Sequence, residues 1–174
     1  MKKIIPPVIT VIYFIMITGC SSVTPEKYFD IAVLNTNLLS GFAGNGMYRQ
    51  LESPSVKLGD NNETVPMKRS EIINSKIKFL EENYEKLKGL KETEDTKEMI
   101  QASAALYEYV LPVYKKDYSN LAGLFDNGAP DEQVRKESQV INDKYFSTYD
   151  ELYKKLISIG KVYAERHSIK VNWN

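Results

Sequence analysis

Apolar residues recur in alternating steps of four and three along most of the chain, the spacing of one buried face on an α-helix. Ile73, Ile77, Leu80, Tyr84 and Leu87 keep this rhythm and predict a helix over about 69–90. Tyr107, Leu111, Tyr114, Tyr118, Leu121 and Phe125 keep it over about 95–125. A second stripe at Leu106, Val110 and Val113 widens that face enough to meet two neighbours. Ile141, Tyr145, Tyr149, Leu152, Leu156, Ile159 and Tyr163 define a last helix from about 130 to 166. A shorter run at Phe29, Ala32/Val33, Thr36 and Leu38/Leu39 predicts a first helix starting at Glu26.

The breaks in the rhythm are as informative. Gly41, Gly44 and Gly46 fall where the first helix should end or fray. Residues 53–67 combine two prolines, a glycine and Asp60-Asn61-Asn62, and predict the longest loop, with Val56 and Leu58 spaced as in a hairpin arm. The polar run Lys91–Thr96 closes the second helix, and Thr93 or Asp95 is placed to cap the third. Pro112 lies inside the third helix and has no N–H for the carbonyl of Glu108, so a kink is expected there. Asp126–Ala129 reads as a turn, and Pro130 opens the fourth helix with Asp131 and Glu132 in its first turn, where the helix dipole favours acids. The tail from His167, with Trp173, is expected to pack back onto the helices. The pattern predicts an all-α fold: an antiparallel four-helix bundle with a coiled-coil-like seam, a long loop between helices 1 and 2, and a kinked third helix.

The N-terminus follows a different rule. Lys2 and Lys3 precede an apolar run from Ile4 to Ile17, and the next residues are Thr18-Gly19-Cys20. A positive start, an apolar stretch and small residues before a cut site make an export signal. A bilayer span needs about 20 apolar residues, and this run is shorter and carries Pro6-Pro7. Ile17-Thr18-Gly19-Cys20 fits a lipobox: small side chains let a peptidase reach the backbone between Gly19 and Cys20, and the Cys20 thiol accepts a diacylglyceryl group. The expected organisation is a cleaved lipoprotein signal at 1–19, a lipidated tether at 20–25 and one helical domain at 26–174. The expected anchor is membrane lipid through acylated Cys20 (palmitate-type chains). Two acyl chains hold a protein stably where one does not.

Composition narrows the chemistry. Cys20 is the sole cysteine of the 174 residues, so disulfides, thiol catalysis and thiolate metal sites fall away once it is acylated. Loss of Lys2 and Lys3 leaves 21 basic residues against 23 acidic ones, a balance that gives no grip on nucleic acid. A lone histidine, His167, excludes paired-histidine and Glu-x-x-His metal sites. Gly41, Gly44 and Gly46 lack the Gly-Lys-Ser/Thr ending of a phosphate cradle and read as a helix break. No catalytic residue, metal or cofactor is assigned. With 12 Tyr against 6 Phe, the tyrosines become the candidates. Tyr107, Tyr109, Pro112, Tyr114 and Tyr118 are the ligand groove the sequence offers, opposed by the simpler reading of a kinked core helix.

Three segments carry a family likeness. Tyr28-Phe29-Asp30 opens the first helix, Leu106-Tyr107-Glu108-Tyr109 leads to Tyr114-Lys115-Lys116-Asp117-Tyr118, and Tyr163-Ala164-Glu165-Arg166-His167-Ser168-Ile169-Lys170-Val171 closes the last. With the lipobox, these resemble the leptospiral-type surface-protein family of small helical bacterial lipoproteins of unknown function. The resemblance spans most of the mature chain but not the glycine-rich stretch or the 53–67 loop, and it implies no catalytic residues. The expectation is a non-enzymatic binding module in the cell envelope, facing an envelope protein or ligand. Its rival is a carrier of a small apolar or aromatic ligand near Pro112. Ser21 stands where an inner-membrane retention aspartate would, which favours the outer membrane in a two-membraned host.

Overall fold

The computed structural model describes residues 23–173, so the lipobox, Gly19 and Cys20 lie outside the described residues. What is described is mostly helical, with one small two-stranded sheet. Helix α1 (Pro25–Ala32) begins with a proline, and the Thr24 hydroxyl accepts from the Lys27 N–H at 3.3 Å. It buries Phe29 and Ala32 and ends at Val33. The chain tightens into a 3₁₀ turn over Leu34–Leu39, where the Thr36 hydroxyl donates to the Val33 carbonyl at 2.6 Å. The predicted single first helix is therefore shorter.

A further helix, α2 (Asn45–Glu52), follows where the sequence pattern assigns none; Met47 and Leu51, one turn apart, are its buried residues. The intervening turn holds Gly41 at φ +84° and Ala43 at φ +47°. A Cβ on Gly46 would stand 2.9 Å from the Gly41 Cα, so the glycines bring two backbone strands into contact. This is a packing use, consistent with the break expected there.

Strands β1 (Val56–Leu58) and β2 (Thr64–Pro66) pair antiparallel, Lys57 opposite Val65. The hairpin arm that Val56 and Leu58 hinted at thus occupies the 53–67 loop. Glu63 closes its tip, its carboxylate accepting from the Asn61 N–H at 2.8 Å.

Helix α3 (Arg69–Lys88) buries Ile73, Leu80 and Leu87 at heptad spacing, with Ile77 and Tyr84 half-buried between them. Thr93 and Thr96 exchange hydrogen bonds ahead of α4 (Lys97–Val113), so the cap is a pair of threonines. A wider π-helical turn over Tyr114–Tyr118 follows, then α5 (Ser119–Asp126). This widening comes directly after Pro112, whose missing N–H loosens the ladder there. The Ser119 hydroxyl takes up the Tyr114 carbonyl at 3.0 Å. Helix α6 (Asp131–Arg166) is the longest element. Pro130 sits just before it, one position earlier than predicted, and Asp131 and Glu132 occupy its first turn.

Helix α4 packs on α3 and α6, α5 on α3 and α6, and α1 on α3, α4 and α6. The core runs through these contacts, with Phe29, Leu39, Phe42, Tyr107, Tyr114 and Leu156 fully buried or nearly so. The tail returns as expected: Trp173 meets Phe29 edge-on, ring centres 5.8 Å apart.

Candidate functional site

The five groove candidates separate in space. Tyr107 stacks on Tyr84 of α3 at 5.7 Å, while Tyr109 turns toward α6, its hydroxyl donating to the Tyr145 carbonyl. Tyr114 and Tyr118 stack on each other at 4.9 Å in the core, and Pro112 is exposed. Tyr107, Tyr114 and Tyr118 are at most 1% exposed, so their rings fill the interior and do not wall an open groove.

What fills the space is a residue the sequence reading passed over. Phe42, from the glycine turn, lies 4.9 Å from the Tyr149 ring, 5.6 Å from Tyr114, 5.9 Å from Tyr118 and 6.4 Å from Tyr109. The Tyr118 hydroxyl accepts from the buried Ala43 N–H at 2.8 Å, and the Tyr149 hydroxyl donates to the Leu39 carbonyl at 3.2 Å. Two phenols of the helices thereby pin the turn that delivers Phe42. An aromatic residue in a helix-breaking stretch was the only signal available for this.

Burial pushes the Tyr114 phenol well above its ordinary range and those of Tyr107 and Tyr118 up to about 12. Tyr84 also rises to about 12, chiefly because its hydroxyl donates to Glu108 at 2.5 Å. Such phenols stay protonated near neutrality: Tyr84 donates, Tyr118 accepts the Ala43 N–H, and all four rings pack. The hydroxyls of Tyr107 and Tyr114 and that of Ser103 are buried without a partner among the described residues.

The strongest polar constellation lies at the other end of α6. Asp95, just before α4, pairs with Arg166, and its carboxylate accepts from His167 Nε2 at 2.6 Å, while the His167 ring rests on Tyr163. These bonds, His167 first and then Arg166 outweighing burial, hold the Asp95 carboxyl below the usual aspartate range. His167 is the end-of-helix histidine expected. No group of three or more His, Cys, Asp or Glu among the described residues is placed to hold a metal ion.

Asp126 is a second tie. Its carboxylate accepts from the N–H groups of Arg69 and Ser70 at 2.7 and 3.0 Å and from the Ser70 hydroxyl at 2.7 Å, capping α3 from the end of α5. Burial alone would raise its pKa; the Ser70 hydroxyl and the two N–H groups reverse that and leave it lowered.

Exposed apolar side chains are scattered, Phe79, Val140, Phe146 and Val162 among them, and two places gather several together. On the hairpin, Val56 is 61% and Leu58 71% exposed. Along α6, the open depressions take in Tyr153, Ile157 and Lys161, with Leu34 and Trp173 beside them. No helix among the described residues is long and apolar enough to cross a membrane.

No family model, no curated protein and no solved structure matches this chain.

Proposed function

We propose that this chain is a lipid-anchored cell-envelope lipoprotein whose helical domain serves as a non-enzymatic binding module. The observation that carries the reading is Ile17-Thr18-Gly19-Cys20 set five residues before the first helix, at Pro25. The resemblance to leptospiral-type surface lipoproteins points the same way. In a two-membraned host the outer membrane is the favoured location, because Ser21 follows the cysteine.

The domain is read as an antiparallel four-helix bundle formed by α1, α3, α4 with α5, and α6. Two ties support this arrangement. Asp126 at the end of α5 caps the start of α3, and Asp95 before α4 binds Arg166 and His167 at the end of α6. Each joins the start of one helix to the finish of another, which antiparallel neighbours require.

The hairpin is the surface assigned to the protein partner. The Tyr28 hydroxyl donates to the Lys91 carbonyl beyond the end of α3, so the tethered end of α1 lies there, while the hairpin leads into the start of α3. Twenty residues of helix separate the two by about 30 Å. A closed core around Tyr114 and Tyr118 supports surface binding over carriage of a ligand near Pro112.

Two measurements test the reading. Metabolic labelling with a fatty acid should mark the wild type and not Cys20→Ala, which should leave the membrane fraction. Cross-linking in cells should return an envelope partner that Leu58→Lys loses. An unlabelled wild type, or a Cys20→Ala protein still held in the membrane, sinks the anchor; a cross-linking pattern indifferent to Leu58→Lys sinks the assigned surface.

A further inference from the structure

Two shallow grooves meet on the outer side of α6. One, of about 280 Å³, is lined by Val33, Leu34, Tyr153, Ile157, Lys161 and Trp173 among others. Its neighbour, also about 280 Å³, shares Tyr153, Ile157 and Lys161 and adds Lys154. No carboxylate lines either groove. Leu34 and Ile157 supply aliphatic floor, Tyr153 and Trp173 supply rings with polar edges, and two ammonium groups stand at the rim. The Lys161 Nζ lies 5.5 Å from the Trp173 ring centre and makes no ion pair among the described residues, whereas Lys154 is paired with Asp150 at 2.6 Å.

We infer that this face is a second, non-covalent membrane contact: it docks on the headgroup–acyl boundary of a phospholipid bilayer carrying anionic lipid. The inference rests on the lipid-anchor reading. Amphipathic rings prefer that boundary, lysine stems run along apolar surface while their heads stay among phosphates, and each such lysine is drawn to an anionic leaflet.

Chain length fixes the reach. Val33 and Leu34 follow directly on α1, whose eight residues rise about 12 Å from Pro25. The five residues from Cys20 span at most ~17 Å. A bilayer that receives the acyl chains of Cys20 is therefore within reach of the groove when α1 lies along the surface.

The competing end-on pose sets the 91–96 segment against the lipid. Exposed Glu92 and Glu94 there outnumber Lys91, so an anionic leaflet repels it. The pose with α6 lying along the surface meets Lys161, which has no ion pair among the described residues, and the Lys154–Asp150 pair, a net positive charge at the rim.

Trp173 is the only tryptophan, which makes it a clean reporter. The purified lipidated protein is reconstituted into phosphatidylcholine–phosphatidylglycerol vesicles bearing bromine or nitroxide at shallow acyl positions. Trp173 emission should fall at least two-fold, more with shallow than with deep quenchers. Lys161→Glu should lose most of that quenching while keeping its lipid, its helical circular dichroism and its flotation with the vesicles. Unquenched Trp173 in a lipidated, floating protein overturns the inference and leaves the anchor intact, and the same holds if sedimentation shows Trp173 shielded in a dimer instead. A protein with no lipid on Cys20 that fails to float overturns the anchor reading, and the inference with it.

Discussion

The aromatic knot around Phe42 and the hairpin at 56–66 are neighbours in sequence and opposites in construction. Phe42 is 2% exposed and touches rings from α4, the π-helical turn and α6. The hairpin is held by its own short ladder and an ion pair from Lys57 to Glu71 at 2.5 Å, and its apolar side chains face outward. One segment gains stability from residues a hundred positions away; the other owes little to the rest of the fold. A short chain that must both hold a shape and present a surface divides those tasks between adjacent stretches.

Substitutions can break or sharpen this contrast. Phe42→Ala should have the largest effect, destabilising by about 3–5 kcal/mol because four rings lose their common neighbour; urea unfolding followed by circular dichroism reads it. A loss under 1 kcal/mol would mean that Phe42 does not organise the knot.

Two phenols of the same knot should then behave differently. Tyr118→Phe strips the buried Ala43 N–H of its acceptor and should cost about 1–3 kcal/mol. Tyr114→Phe removes a buried hydroxyl with no partner among the described residues and should be neutral or stabilising by up to about 1 kcal/mol. Equal losses in thermal melts would contradict the hydrogen-bond assignment.

Asp126→Asn tests the tie closest to the hairpin, at the start of α3. Its folded pKa is lowered, so its contribution is fully present above the unfolded aspartate value and fades as pH falls through the folded one. The variant should lose about 1 kcal/mol at neutral pH, and its stability should fall less steeply than wild type below about pH 4. Parallel acid titrations of the two would count against the cap.

The smallest effect belongs to the hairpin. Val56→Lys and Leu58→Lys should each change stability by no more than about 0.5 kcal/mol, since neither side chain is buried. A clear drop in melting temperature would show that the arm folds back on the body in solution.

Much of the helical content was legible because α3, α4 and α6 repeat their apolar face over many turns. Leu80 and Leu87 are buried as their spacing requires, and Tyr163 near the end of α6 is too. Helix α2 was not legible: eight residues with two buried apolar positions give too little period to distinguish from a loop. The tyrosine groove failed as a reading for a related reason. Spacing tells which face of a helix is apolar but not what covers it, and the cover here comes from Phe42, Tyr84 and Tyr149 on other elements. Ala43 at positive φ had no signal at all, because its conformation is imposed by the Tyr118 hydroxyl and the turn around it. The Asp95 tie was half legible: a helix-capping residue was expected there, but a bond to the lone histidine depends on where α6 ends.

The paired glycines of the turn set a rule for how the chain can change over generations. A side chain on Gly41 would meet the Gly46 backbone at 3.1 Å, and one on Gly46 would meet Gly41 at 2.9 Å. A replacement at Gly46 collides with backbone, one at Gly41 is tight and strained by its φ of +84°, and replacing both makes it worse. Descendants of this sequence should keep both positions fixed while Val56 and Leu58, a few residues on, drift with whatever they contact. A slow clock and a fast one run side by side, and reading their rates in related chains would separate what the fold demands from what a partner does.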